Sequence, residues 1–408
     1  MDVAVEILIK GGVMKRVILL LTLVLFCFVI GVPVLLSDSP SMDNEEAWFM
    51  PRKILNIAYD VKTVKGHYDI PLPSGSQCRG IYMGSDVNQN GLYEVILTDY
   101  ADGGKVHVFE ISGDNTFDEI WTSPAFGSSY GGPVRDVKVG DLDENGDYEI
   151  IIGVIGYGSD IPNYGGLMIY EYSKASESFD AGYHCVIDSG ALSNRWNIEG
   201  FDVFDIDKDG KQEVLIANNG TSSFDSVYVI SFDGTFDEGA TQVTEFAYGK
   251  NAAIPIGGSA MSATHGDLDG DGNYEAIFAI WDSCAVLIVE ATGPDTYEFR
   301  NYIRMDSGGD GVALDNLAVA DLDGDGKDEV YTTIYGGASA GALLGLRCTG
   351  ELEDMTRSNS VFQIAGPGES GGYGIAIGDI DCDGKVSIYT AAYSSGEIVQ
   401  HEFQGGDI

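Results

Sequence analysis

Apolar residues are distributed along the chain in two regimes. From 17 to 36 they form an unbroken run, VILLLTLVLFCFVIGVPVLL, preceded by Lys15 and Arg16 and followed by the acidic stretch SDSPSMDNEE. At about 1.5 Å per residue this run makes a helix of about 30 Å, long enough to cross a bilayer. Basic residues before it and acidic residues after it place the N-terminus in the cytoplasm and the remainder outside. The segment 1–36 therefore reads as a cytoplasmic stub with a transmembrane anchor, or as a cleaved signal peptide. Met14, directly before Lys15, offers an alternative start. A polar linker follows over 37–50.

Beyond the linker the apolar residues come in short runs. EVILTDY, EIIIGV and EVLIAN are strand-length and continuous; KVHVFEI, GLMIYEY and SVYVISF follow them; VRDVKVG, MSATHG and GYGIAIG are built from small residues; FDEIWTS and QVTEFAY are less regular. None has a helical period, and Gly-containing turns separate them, so each unit reads as four short strands. The composition agrees, with 55 Gly, 22 Tyr and 17 Phe, residues suited to tight turns and strands.

Between the first and second strand of every unit stands one acidic loop. It reads DVNQNGLYE from Asp86, DLDENGDYE from Asp141, DIDKDGKQE from Asp205, DLDGDGNYE from Asp267, DLDGDGKDE from Asp321 and DIDCDGKVS from Asp379. Oxygens at positions one, three and five of a tight turn can converge on a hard cation, and Gly at position six allows the bend. An EF-hand begins in the same way but needs an acid at position twelve and flanking helices. Position twelve here is Leu97, Ile152, Ile216, Phe278, Thr332 and Thr390, and the acid comes at position nine. The competing reading is a set of Asp/Gly-rich hairpin turns with no metal, which regular recurrence of the whole pattern argues against.

Four antiparallel strands per repeat make the blade of a β-propeller. The last unit lacks a fourth strand, and an extra one, KILNIAYDV over 53–61, precedes the first loop. The N-terminal strand can thus complete the last blade and close the ring. The expected fold is all-β, a propeller of six four-stranded blades over 51–408; seven blades is the alternative, but no interval between loops has double length.

The motif DLDGDGxxEV after a small-residue strand resembles the FG-GAP/VCBS repeat, as in the integrin α-subunit propeller, over nearly all of residues 70–400. Integrin propellers have seven blades and fewer metal loops, so the resemblance is to the repeat. It implies Ca²⁺ ligands at Asp86, Asn88, Asn90 and Glu94; at Asp141, Asp143, Asn145 and Glu149; and at Asp205, Asp207, Asp209 and Glu213. It further implies Asp267, Asp269, Asp271 and Glu275, then Asp321, Asp323, Asp325 and Glu329. The sixth loop offers Asp379, Asp381 and Asp383, with Ser387 in place of the last acid, so five sites and a sixth weak or empty one are expected.

Charge narrows the partners. Lys and Arg number 22 against 64 Asp and Glu, a formal net charge of −42, which excludes phosphate-driven nucleic-acid binding. The strand order puts the acidic loops on one face and the longer connections on the other. Those connections carry Tyr130, Tyr157, Tyr164, Trp196 and Trp281, aromatics that can stack on sugars, anchor a protein partner or pack between blades. The five His residues are scattered, and no catalytic constellation can be assembled. The expected function is an extracellular calcium-binding propeller acting as a binding, adhesion or surface-assembly module, with the membrane reached through the N-terminal segment if it is not cleaved. The alternative is a lyase-like enzyme acting on polysaccharide.

Overall fold

The computed structural model describes residues 49–56, 78–99, 103–113, 116–126, 134–155, 166–188, 196–219, 226–249, 259–306, 311–370, 374–379, 385–391 and 397–404. The apolar run at 17–36 lies outside them. Among the described residues no helix is long and apolar enough to cross a membrane.

The strands fall into six antiparallel sheets arranged as a β-propeller. β1 is Phe49–Asn56. Blade one is β2 (Cys78–Ser85), β3 (Glu94–Asp99), β4 (Lys105–Gly113) and β5 (Thr116–Thr122). Blade two is β6 (Val134–Gly140), β7 (Glu149–Val154), β8 (Gly166–Ser173) and β9 (Ser178–Asp188). Blade three is β10 (Ile198–Phe204), β11 (Glu213–Asn218), β12 (Val227–Asp233) and β13 (Thr241–Tyr248). Blade four is β14 (Ala260–Gly266), β15 (Glu275–Ile280), β16 (Ala285–Gly293) and β17 (Thr296–Arg304). In blade five the first strand is broken into β18 (Ala313–Leu314) and β19 (Ala318–Ala320), followed by β20 (Glu329–Tyr335), β21 (Leu343–Leu346) and β22 (Val361–Ala365). Blade six has β23 (Gly374–Gly378), β24 (Ser387–Ala391) and β25 (Glu397–Phe403).

β1 completes blade six, antiparallel to β25 from Phe49 opposite Phe403 to Asn56 opposite Glu397. Closure by the N-terminal strand is thus observed, but the strand begins at Phe49, within the segment expected as linker and four residues before the expected Lys53. Pro51 is tolerated because β1 is the outer strand of its sheet and carries a register shift there.

The continuous apolar runs are the second strands. Every residue of β3, β7, β11 and β15 is buried, because each sheet packs a neighbour against both of its faces. The core is correspondingly a series of layers between blades. Ile96, Val106 and Val108 of blade one meet Val137, Ile150 and Ile152 of blade two, and Ile151 and Leu167 of blade two meet Phe201, Val214 and Ile216 of blade three. Each such side chain contributes about 1.5–3 kcal/mol. Outer strands such as β5 are mostly exposed. Cys78, Cys284 and Cys348 are free thiols.

Closure gives the first test. Removing residues 1–48 leaves β1 intact and the melting temperature unchanged. Removing 1–60 strips the outer strand from β25 and exposes its backbone groups, so that variant is expected to aggregate or melt well below the first. Size-exclusion chromatography and thermal melts of the two truncations decide; equally stable monomers would show that β1 does not close the ring.

Candidate metal centres

The five loops between first and second strands of blades one to five share one hydrogen-bond pattern. At position three a side-chain oxygen accepts the N–H of position five: Asn88 from Asn90 at 3.0 Å, Asp143 from Asn145 at 3.2 Å, Asp207 from Asp209 at 3.1 Å, Asp269 from Asp271 at 3.2 Å and Asp323 from Asp325 at 3.1 Å. At position five an oxygen accepts the N–H of position seven at 2.7–2.9 Å in all five. Asp86, Asp141, Asp267 and Asp321 at position one accept the N–H of the Gly at position six. These bonds fold side chains two apart in sequence onto the inside of one turn. Position four is left-handed in every loop: Gln89, Glu144 and Lys208 have φ of 57°, 56° and 62°, and Gly270 and Gly324 take the same region.

The acid at position nine anchors the loop to the core. Glu94, Glu149, Glu213, Glu275 and Glu329 are the first residues of their second strands and are at most 3% exposed. One oxygen of each accepts the N–H of position two: Val87 at 2.8 Å, Leu142 at 2.7 Å, Ile206 at 3.0 Å, Leu268 at 2.6 Å and Leu322 at 3.2 Å. The other oxygen of Glu94, Glu149 and Glu275 is buried with no hydrogen-bond partner, as is one oxygen of Asp141 and one of Asp205. Orphaned buried carboxylate oxygens facing further carboxylates are costly unless a cation or proton meets them.

The spacing suits a cation. In Asp141/Asp143/Glu149, Asp205/Asp207/Glu213, Asp267/Asp269/Asp271 and Asp321/Asp323/Asp325, each residue offers an oxygen within 4.8 Å of the others. That is about twice a calcium–oxygen bond of ~2.4 Å. These acidic clusters can hold a metal ion. In the metal-free chain burial, reinforced by neighbouring carboxylates, pushes the acids up: Glu94 to about 7, Glu329 to about 8, and Glu149, Glu213 and Glu275 to about 9.

Further acids surround the loops that sequence reasoning did not single out. Glu110 and Glu171 lie on the third strands directly opposite Glu94 and Glu149, and Asn145 donates its amide to Glu171 at 2.8 Å. Asp295, in the turn of blade four, brings an oxygen to Asp207 and Asp209 of blade three, and its N–H donates to Asp207 at 2.5 Å. Register would have located the first two; the third needs the ring.

In blade six Asp379 is described and Asp381 and Asp383 lie outside the described residues. Ser387 is buried and accepts the Gln400 amide at 3.1 Å. Its cross-strand partner is Glu402, fully buried and ion-paired with Lys385 at 3.0 Å. The buried carboxylate here stands on the neighbouring strand and meets a lysine.

Tyr130, Tyr157 and Tyr164 also lie outside the described residues. Trp196 is 8% exposed and packs on Tyr228 with ring centroids 4.7 Å apart. Trp281 pairs with the half-exposed Tyr335 at 5.0 Å. A cleft of about 190 Å³ between Met305, Leu344, Arg357 and Phe362 contains none of these residues.

No protein-family profile and no curated protein matches the chain. Among solved structures it is similar to the Vibrio cholerae biofilm matrix protein Bap1, at 18% identity and a TM-score of 0.42 over 74% of this chain and 42% of that one. It is also similar to the periplasmic gluconolactonase PpgL of Pseudomonas aeruginosa, at 11% identity and a TM-score of 0.47 over 80% of this chain and 85% of that one. The chain spans less than half of the biofilm protein's length. At these identities the likeness concerns the fold.

The raised acids set a pH dependence. Each ninth-position Glu binds its proton more tightly folded than unfolded, where its pKa is near ~4.3. Its stabilising contribution is therefore complete below that value and is lost as pH rises through about 7 to 9. In chelator the melting temperature is expected to fall from pH 5 to pH 9, and the Glu149→Gln/Glu275→Gln double variant should fall less. Scanning calorimetry at several pH values checks this; a metal-free melting temperature that rises over the window contradicts it.

Proposed function

We propose that the chain is an extracellular calcium-binding β-propeller that serves as a binding, adhesion or surface-assembly module. The observation that carries the calcium reading is the ninth-position Glu, buried, anchored through one oxygen, and in three loops holding the other oxygen without a partner. An all-oxygen set at this spacing is the chemistry of a hard cation. Asp86, Asn88, Asn90 and Glu94, with the equivalent residues of loops two to five, would hold five ions, which would neutralise the converging carboxylates and crosslink each loop to its second strand. The resemblance of the loops to the FG-GAP/VCBS repeat supports the same assignment.

The placement outside the cytoplasm is supported by the apolar run at 17–36 with its flanking charges. The partner, protein or glycan, is assigned to the face opposite the loops, where Trp281 and Tyr335 form an aromatic pair. The module reading is preferred to a polysaccharide lyase because, among the described residues, every acidic cluster spaced to hold an ion is built on the loop residues.

At ~1 mM free Ca²⁺ and a Kd near ~0.1 mM each site adds roughly 1.4 kcal/mol by mass action. Chelation should therefore lower the melting temperature by many degrees, and Asp323→Ala should cost more calcium affinity than Asp381→Ala in the sixth loop. Calorimetric titration with calcium measures both. An unchanged melt in chelator would sink the metal reading, and formation of unsaturated uronate from pectin or alginate would favour the lyase.

A further inference from the structure

The six first strands carry one residue each at the same register, opposite the second residue after the ninth loop position. These are Tyr82 opposite Ile96, Lys138 opposite Ile151, Asp202 opposite Leu215, Thr264 opposite Ile277, Ala318 opposite Tyr331 and Ala376 opposite Tyr389. First strands are the innermost of their blades, so these six residues surround the propeller axis. None is buried: Ala376 is exposed and the other five are partly exposed. The residues one position before Lys138, Asp202 and Thr264 are Val137, Phe201 and Ala263, and they are buried between blades. The register position thus faces a solvent-accessible space on the axis.

That space is closed at the end away from the metal loops. The first strands of blades two and three carry a bulge at Arg135 and at Glu199, the kind of irregularity that re-aims a side chain. Asp315 sits in the break between β18 and β19 of blade five. The Arg135 guanidinium bonds to Glu199 and reaches Asp315 at 3.6 Å. Blades two and five stand opposite each other in a ring of six, so this ion pair spans the axis. The backbones are as tight: a Cβ on Gly80 would lie 2.8 Å from the Arg135 carbonyl, and one on Gly200 2.6 Å from that of Met261. Among the described residues the axis thus takes the form of a cup, with the Arg135–Glu199–Asp315 ion pairs at its floor and its mouth toward the acidic loops.

Its wall is lopsided. Blades one to four present a phenol, an ammonium, a carboxylate and a hydroxyl; blades five and six present two alanines, which leave room. Lys138 lies 3.4 Å from Asp136, and Asp202 bonds His265 at 2.8 Å. One ammonium beside two carboxylates gives the polar side both donors and acceptors and no excess of positive charge that would select an anion. A flat polyhydroxylated molecule can place its hydroxyls on the Lys138–Asp202–Thr264 side and its C–H face on Ala318 and Ala376. We propose that the axial cup is a binding site for a neutral sugar residue, separate from the metal loops and from the Trp281–Tyr335 face.

Saturation-transfer NMR on the full chain in 1 mM calcium, with glucose, galactose, mannose and cellobiose as probes and galacturonate as the charged control, tests this. At least one neutral probe should show transfer and millimolar affinity. Ala318→Phe fills the small wall and should lower that affinity at least tenfold. The near-isosteric Asp202→Asn, which keeps the cup's shape, should also lower it, while calorimetry shows calcium binding as in the unmodified chain. Silence from all four neutral probes, equal binding by both variants, or tighter binding of galacturonate would overturn the assignment. Because calcium binding is read separately, each of these results leaves the metal-loop reading standing or falling on its own data.

Discussion

A buried glutamate that holds a backbone amide with one oxygen and faces other carboxylates with the second is the constraint on which each of the first five blades depends. It is the first residue of the second strand, and in blades one to four every residue of that strand is buried. The glutamate thus ties the turn to the core layer. If the loop opens, the amide of position two loses its acceptor; if the loop stays closed without a cation, several carboxylates crowd into one desolvated space. A bound cation or a proton relieves the conflict. Turn geometry, the capacity to hold a cation and packing in this propeller meet in one residue.

The repeat made most of the fold legible. Gly at position six, acids or amides at one, three and five, and the acid at nine recur once per four-stranded unit, and the missing last strand of blade six pointed to closure from the N-terminus. The closing strand was displaced toward the N-terminus because its apolar alternation does not fix where pairing begins; β25 does, through the pairing of Phe403 with Phe49. Position four was not foreseen as left-handed, since Gln89, Glu144 and Lys208 bear no turn signature. Glu110, Glu171 and Asp295 near the loops were invisible to spacing because cross-strand and cross-blade neighbours are distant in sequence. In blade six a sequence reading noticed the loss of an acid at Ser387 but not that a buried acid, Glu402, stands across the strand with Lys385 against it.

Comparing the repeats with one another separates scaffold from variation. Loop positions one, three, five, six and nine scarcely change from blade one to blade five, as their common hydrogen bonds require. The axial register position changes at almost every blade, from Tyr82 through Lys138, Asp202 and Thr264 to Ala318 and Ala376. A position under no common structural demand is free to differ, and the asymmetry it produces distinguishes one side of the axis from the other. The same holds for Arg135. In a chain with 22 basic and 64 acidic residues, a guanidinium that serves acids from two other blades is a costly placement, and breaking such a buried network typically costs about 3–5 kcal/mol.

The central claim is that a cation replaces the proton on the buried ninth-position glutamates. Proton release on calcium addition at pH 7 measures this directly, by titration calorimetry in buffers of different ionisation enthalpy. Glu149, Glu213 and Glu275, with acids pushed to about 9 in the metal-free chain, should each give up a proton as the ion enters, so binding is expected to release several protons per chain and to tighten as pH rises. Calcium binding with no buffer-dependent heat would contradict the account.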